Sequence, residues 1–311
     1  MRAVDMEKND EWIAAMRRGD FAGAWNISDE LLRTRRPQDQ ENLPRWFQSV
    51  WDGSSVAGKR VLVRCYHGLG DTIQFIRYAA LLKEVAAEVI VWAQPSLFPL
   101  LQTVRGIDRL LPLHDDSPDV EYDVDLELGE LPYVFRTTQA TIPAQVPYIF
   151  VEPALMAVTG RLRVGLIWES GDWNKRRSVP FAEIKRLGQL PGIEWHILQR
   201  EPSRAGWDGK LGVISGGDNP LDDARIMRAL DLVISVDTMT AHLAGALGQN
   251  TWTLLPFNAD WRWLQHRSDS PWYPTMRLFR QPEEDRWDRV IDQVASELKR
   301  NQPHGRPFGS V

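Results

Sequence analysis

Cysteine is almost missing from this chain: Cys65 is the single one among 311 residues. Internal disulfides and cysteine-based zinc sites are therefore excluded. No apolar run approaches the ~18 residues that span a bilayer. The opening Met1-Arg-Ala-Val-Asp-Met-Glu-Lys-Asn-Asp10 lacks the apolar core of a signal peptide. The expectation is a cytoplasmic chain, at most peripheral to the inner face of a membrane. No His-x-x-x-His pair, Gly-Lys-Ser/Thr loop or Gly-x-Ser-x-Gly elbow occurs. Helical zinc sites, P-loop nucleotide hydrolysis and α/β-hydrolase chemistry lose their signatures with them. Positive charge is also in deficit, 37 Lys and Arg against 42 Asp and Glu, which argues against a partner held mainly through phosphates of nucleic acid. What the chain has in excess is tryptophan, 14 residues. Indoles fill cores, and they also suit flat substrates such as sugar rings.

At roughly 150 residues per domain the length suggests two domains, and the pattern separates three segments. Residues 1–55 read as helical, with Trp12, Ala15 and Met16, a Gly19-Asp20 turn, then Phe21, Ala24, Trp25, Ser28, Leu31 and Leu32 at helical spacing. This is either one tetratricopeptide-like unit or an ordinary helical hairpin. In both cases its apolar face needs cover from the next domain or from a protein partner.

Residues 56–155 and 156–311 each alternate strand and helix, the signature of a mostly parallel sheet covered on both faces. In the first, strands are expected at Arg60–Tyr66, Glu88–Trp92, Arg109–Leu111 and Tyr122–Leu128, with helices at Thr72–Val85 and Ser96–Thr103. In the second, strands are expected at Arg163–Trp168, Glu194–Leu198, Asp231–Ser235 and Thr251–Leu255. Its helices are expected at Phe181–Leu190, Asp222–Leu230 and Thr240–Leu247. The proline-bearing Ile142–Tyr148 reads as the connector between the halves. Trp287, Val290, Ile291, Val294 and Leu298 form one face of a last helix, which is expected to dock, with the first domain as one candidate surface. The tail after Asn301 is expected to fray. Ligands of such sheets bind beyond the carboxyl ends of the strands.

Three strand-end segments could carry chemistry. After the first strand, Gly68 and Gly70 suggest a tight turn that brings backbone near a ligand, with Asp71 at the mouth of a helix. Asp71 reads as an N-cap whose box Gln74 completes, as a functional carboxylate, or as both. In the second half, Asp237, Thr238 and Thr240 stand where a strand gives way to a helix, a seat for phosphate oxygens. His242 lies one turn in, facing either a ligand or the core. Asn174, Lys175, Arg176, Arg177 and Ser178 form either a diphosphate-binding loop or a solvated basic one. Asp123 and Asp125 have the spacing of a metal pair but alternate with apolar residues, as on a half-exposed strand, and no metal site is expected.

Gly68-Leu-Gly-Asp-Thr-Ile-Gln-Phe75, Val236-Asp-Thr238 with Ala241-His-Leu-Ala244, and Asp269-Ser-Pro-Trp-Tyr-Pro274 together closely resemble glycosyltransferase family 9. This family includes the heptosyltransferases of lipopolysaccharide assembly. More narrowly, the chain resembles the group whose transferase region follows tetratricopeptide repeats, over about residues 45–300. The resemblance implies an α/β GT-B fold, two Rossmann-like doubly wound domains facing across a cleft, behind a short helical segment. It implies an inverting, metal-independent transfer from a nucleotide-diphospho-sugar, with no cofactor, to a glycan, lipid-linked or protein acceptor. By position, Asp71 matches the general base, and Asp237 and Thr238 match the donor diphosphate site. Lys175 and Arg177 look like the cations on the leaving phosphate. The chain departs from the group at Asn174-Lys175, where an Asp-Arg pair is usual. Trp261, Trp263, Trp272 and Tyr273 either stack on base or sugar, or pack in the core. The competing readings are a non-catalytic nucleotide- or sugar-binding protein and a sugar-nucleotide epimerase on the same fold.

Overall fold

The computed structural model describes residues 3–35, 44–45, 48–172, 174–217 and 219–300, so the expectation for the tail after Asn301 lies outside the described residues. The chain forms two units. The first takes residues up to Ala144 together with Asp260–His266, and the second takes Gln145–Ala259 and the residues from Arg267 on. The boundary falls within the proline-bearing connector, ahead of the expected division between 155 and 156, and the helical segment belongs to the first unit.

The first unit opens with α1 (Ala3–Arg18) and α2 (Phe21–Thr34). Gly19, at φ +79°, ends α1 through bonds from Gly19 N–H to Met16 C=O and from Asp20 N–H to Ala15 C=O, the usual glycine stop. Asp20 then caps α2, accepting from the Gly23 N–H at 2.9 Å. The pair covers its own unit. Trp25 Nε1 donates to Thr137 C=O at 2.6 Å, and Asp29 accepts from the Tyr133 hydroxyl at 2.6 Å and from Arg136 at 2.6 and 2.9 Å.

The sheet of this unit runs in the order β3-β2-β1-β4, with all ladders parallel. Its strands are β1 (Arg60–Arg64), β2 (Glu88–Ala93), β3 (Arg109–Pro112) and β4 (Val124–Glu127). Val61, Leu62 and Val63 are all buried, as expected where both faces of a parallel strand are covered. The helix expected over Thr72–Val85 is broken in two, α3 (Leu69–Phe75) and α4 (Ala79–Val85), joined by a 3-10 turn. Short helices α5 (Phe98–Leu101) and α6 (Leu131–Val134) follow β2 and β4.

The second unit carries a six-stranded parallel sheet in the order β10-β9-β8-β5-β6-β7. Its strands are β5 (Leu162–Ile167), β6 (Ile193–Ile197), β7 (Val213–Ile214), β8 (Leu232–Val236), β9 (Thr251–Leu255) and β10 (Met276–Arg280). The helices are α7 (Phe181–Ile184), α8 (Pro220–Ala229), α9 (Met239–Ala246) and α10 (Trp287–Arg300). The apolar stripe of α10, Trp287, Val290, Ile291, Val294 and Leu298, joins Leu162, Val164, Trp195 and Phe279 in the core of this unit. Of the surfaces open to the last helix, its stripe takes the core of its own unit. The edge strands β7 and β10 are additions to the sequence reading.

Candidate functional site

The first corner lies at the carboxyl end of β1. Gln94, just past β2, fastens the turn that follows: its Nε2 donates to the carbonyls of Cys65 at 3.0 Å and His67 at 2.8 Å, and its Oε1 accepts from the Thr72 hydroxyl at 3.0 Å. The chain then enters α3 earlier than expected, with Gly68 as N-cap and Gly70 in the first turn. Neither glycine takes a left-handed backbone, so the tight glycine turn is replaced by an early helix start. Asp71 is not the cap. It stands three residues in, and its Oδ2 accepts from the Gly68 N–H at 3.0 Å. Asp71 thus supplies the part of the capping box expected of Gln74, which is fully buried.

The other carboxylate oxygen of Asp71, Oδ1, pairs with Arg262 Nη2. Asp260 holds the same guanidinium at Nη1, 2.9 Å away. Arg262 also lies over the rings of Phe75 and Trp261, 5.3 and 4.8 Å from their centroids. Trp261 stacks on Phe75 with centroids 6.3 Å apart and meets Trp12 edge-on at 5.3 Å. Asp260–His266 therefore complete the first unit, although the sequence reading assigned them to the second. Trp263 is fully buried and Trp261 half-buried.

Beside Asp71 is a second pair that sequence reasoning missed. His67 Nδ1 lies 2.7 Å from Glu127 Oε1; the imidazole is 38% exposed and the carboxylate only 3%. Glu127 is the last residue of β4, the strand beside β1, in register with Arg64, so adjacent strand ends deliver both groups. Burial opposes charging of the imidazole. The hydrogen bond and charge of Glu127, with the charge of Asp71, outweigh burial and the repulsion of Arg262 to hold its pKa above the usual histidine value. Sequence offered no signal beyond two strand-end positions.

The second corner lies where β8 gives way to α9. Asp237 is buried at 4% exposure, 3.9 Å from Arg177 Nη1 and 3.9 Å from His242 Nε2. The Nδ1 of His242 lies 3.0 Å from the Tyr273 hydroxyl. Of the two positions open to it, His242 takes the core-facing one, bridging Asp237 and Tyr273 at 6% exposure. Thr238 caps α9 without a side-chain bond to the helix, and Thr238, Met239 and Thr240 are half-buried. The start of this helix is accessible.

The basic loop divides. Arg177 reaches the Asp237 corner, whereas Lys175 lies between Glu169 at 2.9 Å and Asp172 at 2.8 Å. The carboxylate that Asn174 fails to supply is thus present from elsewhere in the loop. Ser178 builds the loop itself, its Oγ accepting from the Ser170 N–H at 3.0 Å. Trp272 and Tyr273 are both at 0% exposure. Of the two readings open to them they take the core position. Asp123 and Asp125 pair with Arg60 and Arg64. Among the described residues no group of three or more His, Cys, Asp and Glu side chains is arranged to hold a metal ion. Among them, too, no helix is long and apolar enough to cross a membrane.

No family model matches the chain. Protein FlbA of Caulobacter vibrioides is 26% identical over a 297-residue alignment that takes in 80% of this chain and 48% of FlbA. The chain thus spans about half the length of the curated relative it matches. Among solved structures, a glycosyl transferase family 9 protein from Veillonella parvula superposes with a TM-score of 0.56 at 10% identity, over 81% of this chain and 92% of that one. ADP-heptose LPS heptosyltransferase II of E. coli gives 0.56 at 13% identity, over 78% and 98%. The E. coli heptosyltransferase WaaC with ADP-2-deoxy-2-fluoro heptose gives 0.52 at 14% identity, over 78% and 99%. The two parallel sheets and their helices form the GT-B type of α/β fold that these structures have.

Proposed function

We propose that this chain is an inverting glycosyltransferase that moves a sugar from a nucleotide-diphospho-sugar to an acceptor hydroxyl without a metal ion. The observation that carries the reading is Asp71: a partly exposed carboxylate in the first turn of α3, beyond the end of β1, fixed in place by the Gly68 N–H and Arg262. Fold alone does not grant function; the chemistry rests on this group and on the Asp237 corner. Asp71 takes the proton from the acceptor hydroxyl as its oxygen attacks the anomeric carbon. The bond from that carbon to the diphosphate breaks, and its electron pair leaves with the nucleotide. Arg177 and the start of α9 at Thr238–Thr240 meet the charge that develops there, and prearranged donors of this kind are worth a few kcal/mol. Lys175 contributes once a diphosphate draws it from Glu169 and Asp172.

One observation favours a second reading, a nucleotide-sugar-binding protein without transfer: Arg262 and a peptide N–H already occupy the Asp71 carboxylate. Calorimetry with ADP-, UDP- and GDP-sugars, followed by transfer assays, divides the two. The Asp71→Asn variant is expected to keep donor affinity within about 2-fold and to lose about 100-fold or more in transfer. Undiminished turnover would remove Asp71 as the base. The Arg177→Ala variant is expected to bind nucleoside diphosphate about 10-fold more weakly, and the Lys175→Ala variant less so. Equal affinity in both would end the assignment of the diphosphate loop.

A further inference from the structure

Asp71 is a short-term holder for a proton: its carboxylate is engaged on both oxygens, and each turnover must restore it. Within the same unit the His67–Glu127 pair stands beside it. The peptide N–H that follows His67, that of Gly68, is the one on which Asp71 Oδ2 rests at 3.0 Å. Gln94 grips the His67 carbonyl at 2.8 Å, so the backbone on both sides of this link is fixed. Glu127 takes Nδ1 at 2.7 Å. With Nδ1 protonated toward Glu127, the proton-accepting atom of the neutral ring is Nε2. The same Glu127 accepts from the Gly129 N–H through its other oxygen, Oε2, at 2.5 Å, and so cannot swing away without leaving that donor unpaired. A buried carboxylate that orients a half-exposed imidazole is the arrangement that makes a proton acceptor near neutral pH.

We propose that His67, oriented by Glu127, receives the proton that Asp71 removes from the acceptor hydroxyl. This rests on the transferase reading above. In the first step the acceptor O–H bond breaks, its proton goes to Asp71, and the new glycosidic bond forms as the diphosphate leaves with its electron pair. In the second step the proton passes from the Asp71 carboxyl to His67 Nε2. Asp71 returns to the carboxylate, and the imidazolium, steadied by Asp71 and Glu127, gives the proton to water through its exposed side before the next turnover. His67 acts through Asp71 and is a positioning and relay residue rather than the attacking base. The charged groups that face it are Glu127 at the end of β4, Asp71 on α3 and Arg262 in the 261–263 turn.

Without the relay no imidazole stands in the path of the proton, and the rate carries no histidine limb between about pH 6 and 8. The relay requires neutral His67, so kcat/KM for the full chain is expected to fall on acidification within that range. The Glu127→Gln variant should move this limb to lower pH by about one unit, because the neutral amide no longer stabilises imidazolium. His67→Gln should abolish the limb and lower kcat about 10-fold or more while leaving the KM for donor within about 2-fold. Proton NMR of the imidazole C2–H signals, with His67 assigned by its loss in His67→Gln, reads the pair without any transfer. Its titration should lie above the ordinary value of about 6.5 and drop in Glu127→Gln. A limb that survives in His67→Gln overturns the relay and leaves the transferase reading standing. A C2–H titration at the ordinary value, unmoved in Glu127→Gln, overturns the coupled pair. An NMR coupling that appears as expected in a wild-type protein with no transfer removes the transferase reading, and the relay with it.

Discussion

At the scale of single residues, Arg262 ties chemistry to packing. It neutralises Asp71 and roofs Phe75 and Trp261. Arg262→Ala removes both and is expected to cost about 1–3 kcal/mol in urea unfolding. Arg262→Met keeps the roof and should recover part of that loss, and equal midpoints for wild type and both variants would show that Arg262 holds nothing. Glu130 offers a pH-dependent case. Its Oε2 accepts from the peptide N–H groups of Val50, Trp51 and Glu127 at 3.2, 2.9 and 2.8 Å. Desolvation and the neighbouring Glu127 charge nonetheless push its carboxyl up to about 7, against the pull of those donors. An unfolded glutamate titrates near 4.3. Between these values the native state holds a proton that the unfolded chain has released, so stability falls as pH rises through the window, by at most about 1.4 kcal/mol per pH unit. Glu130→Gln keeps an accepting oxygen and carries no proton to lose. The fall in melting temperature between pH 5 and 7 should flatten in that variant, and an unchanged slope would contradict the assignment. Asp71 and Asp237 were legible in the sequence because each follows an apolar strand and opens a helix. His67, Glu127 and Arg262 were not, since they meet across 60 to 195 positions, and local spacing carries no trace of such encounters.

At the scale of elements, close approach decides what α9 tolerates. A Cβ on Gly245 would meet Tyr273 ring atoms at 2.4–2.8 Å. Gly245→Ala is therefore expected to destabilise by about 1–3 kcal/mol despite the better helix propensity of alanine. It should also shift His242, which is bonded to the same tyrosine. A melting temperature at or above wild type would refute this. On α10, Leu298 is at 0% exposure in the core of its unit, and Leu298→Ala should cost about 2–5 kcal/mol. The strands with wholly apolar centres were legible from the sequence, as were α2 and α10 from their stripes. Helix starts shifted by one to three residues because backbone hydrogen bonding, rather than the first polar residue, sets where a helix begins. The edge strands escaped notice for different reasons. Val213–Ile214 is two residues long and exposed, and Arg277 interrupts Met276–Arg280.

At the scale of the whole molecule, alternation of strand and helix disclosed two doubly wound halves, but not how the chain allots its residues between them. Asp260–His266 sits far along the sequence and yet completes the first unit. Nothing local in Asp260-Trp-Arg-Trp-Leu-Gln-His266 says so, because tryptophans fill either core equally well. A fragment of residues 1–144 should accordingly melt below the first-unit transition of the full chain, having lost the cover on Trp12 and the cation on Asp71. A fragment as stable as the intact chain, compared by circular dichroism, would show that the segment adds nothing. A synthetic peptide spanning 258–268, supplied in trans, should raise the melting point of the fragment, by an amount that grows with the logarithm of its concentration once that exceeds its dissociation constant.

The same allotment has a bearing on synthesis. At roughly 5–20 residues per second, the ribosome needs on the order of ten seconds to pass from Ala144 to His266. During that interval the nascent first half exists with Asp71 lacking its Arg262 partner and Trp12 lacking the edge of Trp261, and it can be finished only by a stretch decoded after most of the second half. Order of emergence and order of completion therefore run opposite to each other in this protein.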